Sequence, residues 1–239
     1  MDLMWIAVVA VVAMAGLMRG ITGFGGAMLM APPLSIMLGP VPAVVTTLVL
    51  ETAAAAVMFR DAWPRIRVRT LAYLTAPACL TVPLGGYLLL TINPEIARRL
   101  IAAIVVVFSL LLLTGLRYSG TPRPATSVAL GGLVGVLLGA TSVGAPPVIL
   151  YLLSGPDPVK TTRAHLTVFV TAISVIGLVM FTLSGVVTAG LLASSLALAA
   201  PFLAATWLGG RMFGIMSETA VRRIGLGAML LTGTVALLL

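Results

Sequence analysis

Arg19 and Glu51 flank a glycine-rich run, Gly20-Ile21-Thr22-Gly23-Phe24-Gly25-Gly26, in a chain where charge is scarce. Together these residue types could bind an anion. Glycine admits positive φ and leaves backbone N–H groups uncovered. A helix starting after Gly25-Gly26 would aim free N–H groups and the positive end of its dipole at the bend. A guanidinium beside it adds a planar fork of donors suited to a carboxylate or an oxyanion. A second stretch, Gly135-Val136-Leu137-Leu138-Gly139-Ala140-Thr141-Ser142-Val143-Gly144, offers the same backbone with two hydroxyl donors added. The bland alternative is that these glycines only permit a tight bend.

The setting for this chemistry is a membrane. Of 239 residues, 60% are hydrophobic and only 8% charged, and the mean hydropathy is +1.19, far from the mix of soluble domains. The net charge of +8 does not point to nucleic acid, because the arginines fall in short gaps between apolar runs, as in loops facing the cytoplasm. A charged side chain inside a bilayer costs at least about 2.5 kcal/mol on insertion scales, so it has a partner or a task. For Arg19 three readings stand: substrate contact, a structural pair with Glu51, or an anchor at the interface. Glu51 is the one acid placed within an apolar run, which makes it a candidate for reversible protonation; a permanently neutral, hydrogen-bonded carboxyl is the alternative. His165, the one histidine, follows Thr161 and Thr162 by four and three residues, so the three share a helix face. It is a second proton-coupling candidate. With no second histidine and no cysteine partner, metal binding is not expected there. Lys160 and Arg163 read as helix-end anchors.

The elements that must position these groups come in two copies. Ala31-Pro32-Pro33 recurs as Ala145-Pro146-Pro147, and each is followed by Gly-Pro at Gly39-Pro40 and Gly155-Pro156. Thr46-Thr47 with Thr52 is answered by Thr161-Thr162 with Thr167. Leu84-Gly85-Gly86 is answered by Leu208-Gly209-Gly210, and Arg98-Arg99 by Arg222-Arg223. The offset drifts only from 114 residues (Ala31 to Ala145) to 124 (Gly85 to Gly209). This is an internal duplication, with repeats at about 1–120 and 124–239 of a single transmembrane domain. Gly/Pro-interrupted apolar segments at matching positions of two halves are the sequence pointer to a transporter's site.

Spans of about 20 apolar residues are expected at roughly 41–59, 70–90, 98–116, 160–182, 187–208 and 220–239. Before each set of three stands an element too long for one span, 3–38 and 126–154. A broken or re-entrant helical hairpin fits both, since irregular backbone survives at membrane depth only when covered by protein or lining a wet cavity. Residues 1–18 lack the basic start of a signal peptide and read as a retained first segment. Loop charge favours inverted halves. That arrangement puts Arg60, Arg65, Arg67, Arg69, Arg117, Arg123, Lys160, Arg163, Arg211, Arg222 and Arg223 on the cytoplasmic side, with Arg98 and Arg99 outside. Gly16, Gly20, Gly131 and Gly135, spaced in fours, read as helix-packing positions. Cys79 reads as a small buried hydrophobe. Asp61, Glu95 and Glu218, beside arginines, read as solvated ion pairs.

The run Gly20-x-x-Gly23-Phe24-Gly25-Gly26, followed by Pro32-Pro33-Leu34 and Pro42-x-x-x-Thr46, resembles the signature of the TauE/SafE family of sulfite-exporter-like permeases. The duplicated layout fits that family over essentially the whole chain. The resemblance implies movement of small sulfur-containing anions such as sulfite and organosulfonates. The second half departs from the family's usual pattern, with Thr141-Ser142-Val143-Gly144-Ala145 where a Gly-Gly doublet is common.

No catalytic triad, His-Glu metal motif or phosphate-cradling loop is present in the sequence. The expectation is therefore an all-α membrane protein that is not an enzyme and needs no cofactor. It would be a secondary transporter of a small anion in a bacterial inner membrane, with a homodimer left open. The expected substrate contacts are Arg19, Thr22, Gly23, Gly25, Gly26, Thr46, Thr47, Thr141, Ser142, Gly144, Thr161 and Thr162, with Glu51 and His165 for proton coupling. A passive anion channel and an accessory subunit of a larger complex are the competing readings.

Overall fold

The computed structural model describes residues 3–62, 64, 66, 68–114, 123–152, 159–212 and 218–238, without the side chains of 55–57, 60, 61, 69, 70, 159 and 218–223. The side chains of Arg60, Arg65, Arg67, Arg69, Arg117, Arg222, Arg223, Asp61 and Glu218, and the Gly155-Pro156 pair, lie outside this description.

Every element among the described residues is helical: α1 (Leu3–Thr22), α2 (Gly26–Leu38), α3 (Pro40–Ala62), α4 (Val68–Thr91), α5 (Pro94–Leu113), α6 (Pro124–Thr141), α7 (Ala145–Leu152), α8 (Val159–Leu183), α9 (Ala189–Met212) and α10 (Glu218–Leu238). Proline opens α3, α5 and α6, where its missing N–H has no intrahelical partner to lose. The start of α5 is closed by Asn93, whose side chain accepts from Glu95 N–H at 2.8 Å. Among the described residues, six helices contain stretches long and apolar enough to cross a bilayer: Leu3–Thr22, Leu71–Thr91, Pro94–Leu113, Pro124–Thr141, Lys160–Leu183 and Ala189–Met212. Large apolar side chains such as Leu80, Tyr87, Leu183 and Leu231 face outward, as a lipid-facing surface requires. Glu95 meets Arg99 at 2.7 Å and Arg98 at 3.7 Å near the start of α5. Cys79 is half-buried against the core.

Both expected hairpins are broken at their glycine-rich stretch. Each joins a long arm, α1 of 20 residues or α6 of 18, to a short one, α2 of 13 or α7 of 8. The two bends do not match in the register that the Ala-Pro-Pro phrase suggests. In α2 that phrase lies inside the helix, whereas α7 begins on it. Matching the bends instead pairs Thr22 with Thr141 and Gly25 with Gly144, 119 residues apart in each case (141 − 22; 144 − 25). Local backbone chemistry, set by the Thr-x-x-Gly run, fixes this register; prolines tolerated in a first turn or within a packed membrane helix do not.

The halves interlock. α1 packs along α9 of the other half, as α6 packs along α4, and α3 lies against α8. Glycines allow the first two crossings: a Cβ on Gly16 would sit 2.4 Å from Phe202 O, and one on Gly135 2.2 Å from Ala78 O. Gly131 meets Leu74 O in the same way. Backbone touches backbone at these points, which is how helices associate without hydrophobic pressure between them.

Candidate functional site

The two bends are built by the same hydroxyl. In the first, Thr22 Oγ1 donates to Met18 O at 2.8 Å and accepts from Phe24 N–H at 3.2 Å. In the second, Thr141 Oγ1 donates to Leu137 O at 2.7 Å and accepts from Val143 N–H at 3.2 Å. One side chain thereby bonds a carbonyl of the last helical turn and the second N–H beyond the helix. The next residue is left-handed in both, Gly23 at φ 81° and Ser142 at φ 58°. Each sends its N–H back to the preceding turn, to Arg19 O at 2.9 Å and Leu138 O at 2.7 Å respectively. Ser142 is the one non-glycine with positive φ among the described residues.

α2 then restarts from Gly25, itself left-handed at φ 89°. The Glu51 carboxylate reaches this start from α3, and its Oε1 accepts the Ala27 N–H at 3.2 Å. A Cβ on Gly26 would come within 2.9 Å of that oxygen, so only glycine admits the carboxylate there. Glu51 Oε2 lies 2.9 Å from Arg19 Nε, and the two side chains are 3% and 1% exposed. Arg19 Nη1 donates to Gly23 O. Its Nη2 is buried without a hydrogen-bond partner, and its Nε meets Glu51 Oε2 as an ion pair only.

A cavity of about 20 Å³ lies against this pair, and it joins the two bends. Phe24, Gly25, Ala27 and Met28 face it from the first; Ser142, Val143, Gly144 and Ala145 face it from the second. Arg19 and Glu51 border it with Leu138 and, from α8, Val170. The two sides differ in charge: in the bend register, Arg19 is matched by Leu138 (138 − 19 = 119).

Of the residues expected from sequence, Arg19, Gly25, Ser142, Gly144 and Glu51 border this cavity. Thr22, Gly23 and Thr141 shape the bends, and Gly26 makes room for the carboxylate. Thr46 instead bonds across the halves, its Oγ1 3.0 Å from Ser195 Oγ of α9. Thr47 and Thr162 are buried with unpartnered hydroxyls, Thr161 is half-buried, and His165 is buried within α8; none borders the cavity. Arg163 does more than anchor a helix end, for its Nη2 donates to Gly20 O. Its stem lies where a Cβ on Gly23 would fall. Arg163 therefore braces the end of α1 from the other half. Sequence reasoning missed the apolar part of the lining, Val170 and Leu138 among it, where side chains carry no local signal.

No curated protein and no solved structure matches the chain. A family model described as Sulfite exporter TauE/SafE matches residues 8–236, a span that takes in both bends and nearly every helix. The chain therefore belongs to the sulfite exporter TauE/SafE family of membrane transporters.

Proposed function

We propose that this protein is a secondary transporter of a small oxyanion, either sulfite or a small organosulfonate or carboxylate. The observation that carries the reading is the convergence of both broken hairpins on one cavity bordered by a buried arginine. The start of α2 and the start of α7 supply backbone N–H groups and positive dipole ends. Arg19 supplies the compensating charge, and Ser142 a hydroxyl. The two halves run in opposite senses through a bacterial inner membrane, and the cavity lies near the midplane. Arg60 to Arg69 and Arg211 to Arg223 face the cytoplasm. Rocking of one half against the other exposes the site to either side in turn. The unpartnered hydroxyls of Thr47 and Thr162 are the groups a polar ligand would meet as α3 and α8 part. Glu51 and His165 are the groups through which a proton gradient would drive the cycle.

The test is flux into proteoliposomes holding the purified protein, screened over sulfite, sulfate, thiosulfate, small sulfonates and small carboxylates. Saturable uptake of one of these, driven by a pH or ion gradient, is expected. Flux that neither saturates nor responds to a gradient would make the protein a channel. Absence of flux for every anion overturns the proposal.

A further inference from the structure

We propose that the Glu51 carboxylate is a resident anion standing in the substrate's own subsite, which the substrate must displace to bind. The inference rests on the anion-transport reading and adds how the site is kept closed. Three features carry it.

First, the carboxylate occupies the place where an anion is best stabilised. Its Oε1 takes the Ala27 N–H at the start of α2, and its Oε2 lies 2.9 Å from Arg19 Nε. The start of α2 and a buried guanidinium are both cationic features of this region, and one carboxylate engages both. Second, the engagement is incomplete: Arg19 Nη2, on a side chain 1% exposed that borders the cavity, has no hydrogen-bond partner. A buried guanidinium built only to hold a structural pair would be fully satisfied, because each unmet buried donor is costly. Third, the remaining cavity of about 20 Å³ is room for roughly one water molecule. An oxyanion with several heavy atoms gains its volume only when the carboxylate leaves.

The second bend shows that the pair is not needed to fold such a hairpin. It closes with the same threonine pattern while Leu138 stands where Arg19 stands in the first. The ion pair is therefore an addition to the bend rather than its foundation. Glu51 acts as a tethered competitor: it neutralises Arg19 in the empty transporter and withdraws when a substrate anion takes over both contacts. It thereby selects for anions that can replace a carboxylate on a guanidinium and a backbone N–H together.

The experiment compares full-length wild type, Glu51→Gln and the double variant Arg19→Gln/Glu51→Gln in detergent. Thermal unfolding is followed against sodium sulfite, sodium sulfate and sodium methanesulfonate, with sodium chloride at matched ionic strength as the control. Removing the competitor should lower the concentration of the bound anion that gives half-maximal stabilisation by about tenfold or more, a difference well resolved by mass-action stabilisation. The double variant should show no oxyanion response. Equal half-maximal concentrations in wild type and Glu51→Gln overturn the resident carboxylate and leave anion transport standing. No response in any protein overturns both. Should Glu51→Gln fail to accumulate, it is purified with the oxyanion present throughout: recovery of folded protein supports displacement, and failure to recover it overturns the idea.

Discussion

Gly20 on α1 and Gly209 on α9 meet backbone to backbone: a Cβ on Gly20 would lie 2.9 Å from the Gly209 Cα and 2.1 Å from Thr206 O. The other half repeats the arrangement between Gly139 and Gly85, each of whose added Cβ atoms would strike the partner helix's backbone within 2.2 Å. Arg163 reaches the Gly20 carbonyl, so the same crossing also holds the end of α1.

Substituting Gly20 or Gly139 by valine should separate the paired helices. Overpacking typically costs about 1–3 kcal/mol, occasionally more, and here the obstruction is backbone that cannot rotate aside. The expected result is a lower melting temperature and loss of monodisperse protein in detergent for either variant. Gly190→Val and Gly227→Val, where an added Cβ meets nothing within 4 Å, should behave much more like wild type. Equal stability of all four variants would remove glycine packing as the basis of the interlocked halves.

Much of this was legible in the sequence, and the limits have physical causes. The Thr22-Gly23-Phe24-Gly25 run announces its bend, because only a few residue types accept left-handed backbone. Its partner at Thr141 to Gly144 is harder to align, because Ser142 replaces a glycine and the repeated prolines sit at different depths in α2 and α7. The Gly85 and Gly209 repeats were visible as a pattern, but their partners were not: pairing between α1 and α9, or α6 and α4, depends on three-dimensional crossing rather than on local residue type. Arg19 and Glu51 were recognisable as costly charges. Their pairing was one of the readings left open; that they do meet, and that Thr46 instead bonds Ser195, follows from how α3 packs against α2 and α9.

Ser142 offers a separation of stability from function. At φ 58° a residue with a Cβ carries strain of order 1 kcal/mol that glycine avoids. Ser142→Gly should therefore keep or slightly raise the melting temperature. Its hydroxyl, which donates to Thr141 O at 2.6 Å, would be lost from the cavity wall, so apparent substrate affinity should fall several-fold. If flux and half-saturation are unchanged, Ser142 serves the bend alone.

The proposed orientation can be read chemically. In a background with Cys79→Ala, single cysteines are placed at Val68 near the start of α4 and at Arg211 near the end of α9. Both positions are exposed. Inverted halves put the two on the same, cytoplasmic face, so an impermeant maleimide should label both in inside-out vesicles and neither in intact cells. Labelling from opposite faces would show that the halves run in the same sense and would remove the charge-bias argument.

The last prediction concerns the Arg19–Glu51 pair as a unit. Arg19→Gln alone strands a carboxylate and Glu51→Gln alone strands a guanidinium, and breaking a buried pair from one side costs about 3–5 kcal/mol. The double variant leaves no uncompensated charge, so it should be more stable than the sum of the single losses implies, with a coupling energy of about 1–3 kcal/mol in the cycle. Flux adds what stability cannot. Glutamine keeps the size of Glu51 but cannot take up a proton. If protonation is how the carboxylate leaves Arg19, wild-type flux of a sulfonate, an anion that stays charged throughout, should rise as pH falls. Flux through Glu51→Gln should not follow. The two measurements together assign the pair. A large coupling energy with an unchanged pH profile in a folded, transporting Glu51→Gln protein takes protonation of Glu51 out of the cycle, whereas a flattened profile makes Glu51 the group that ties substrate movement to the proton.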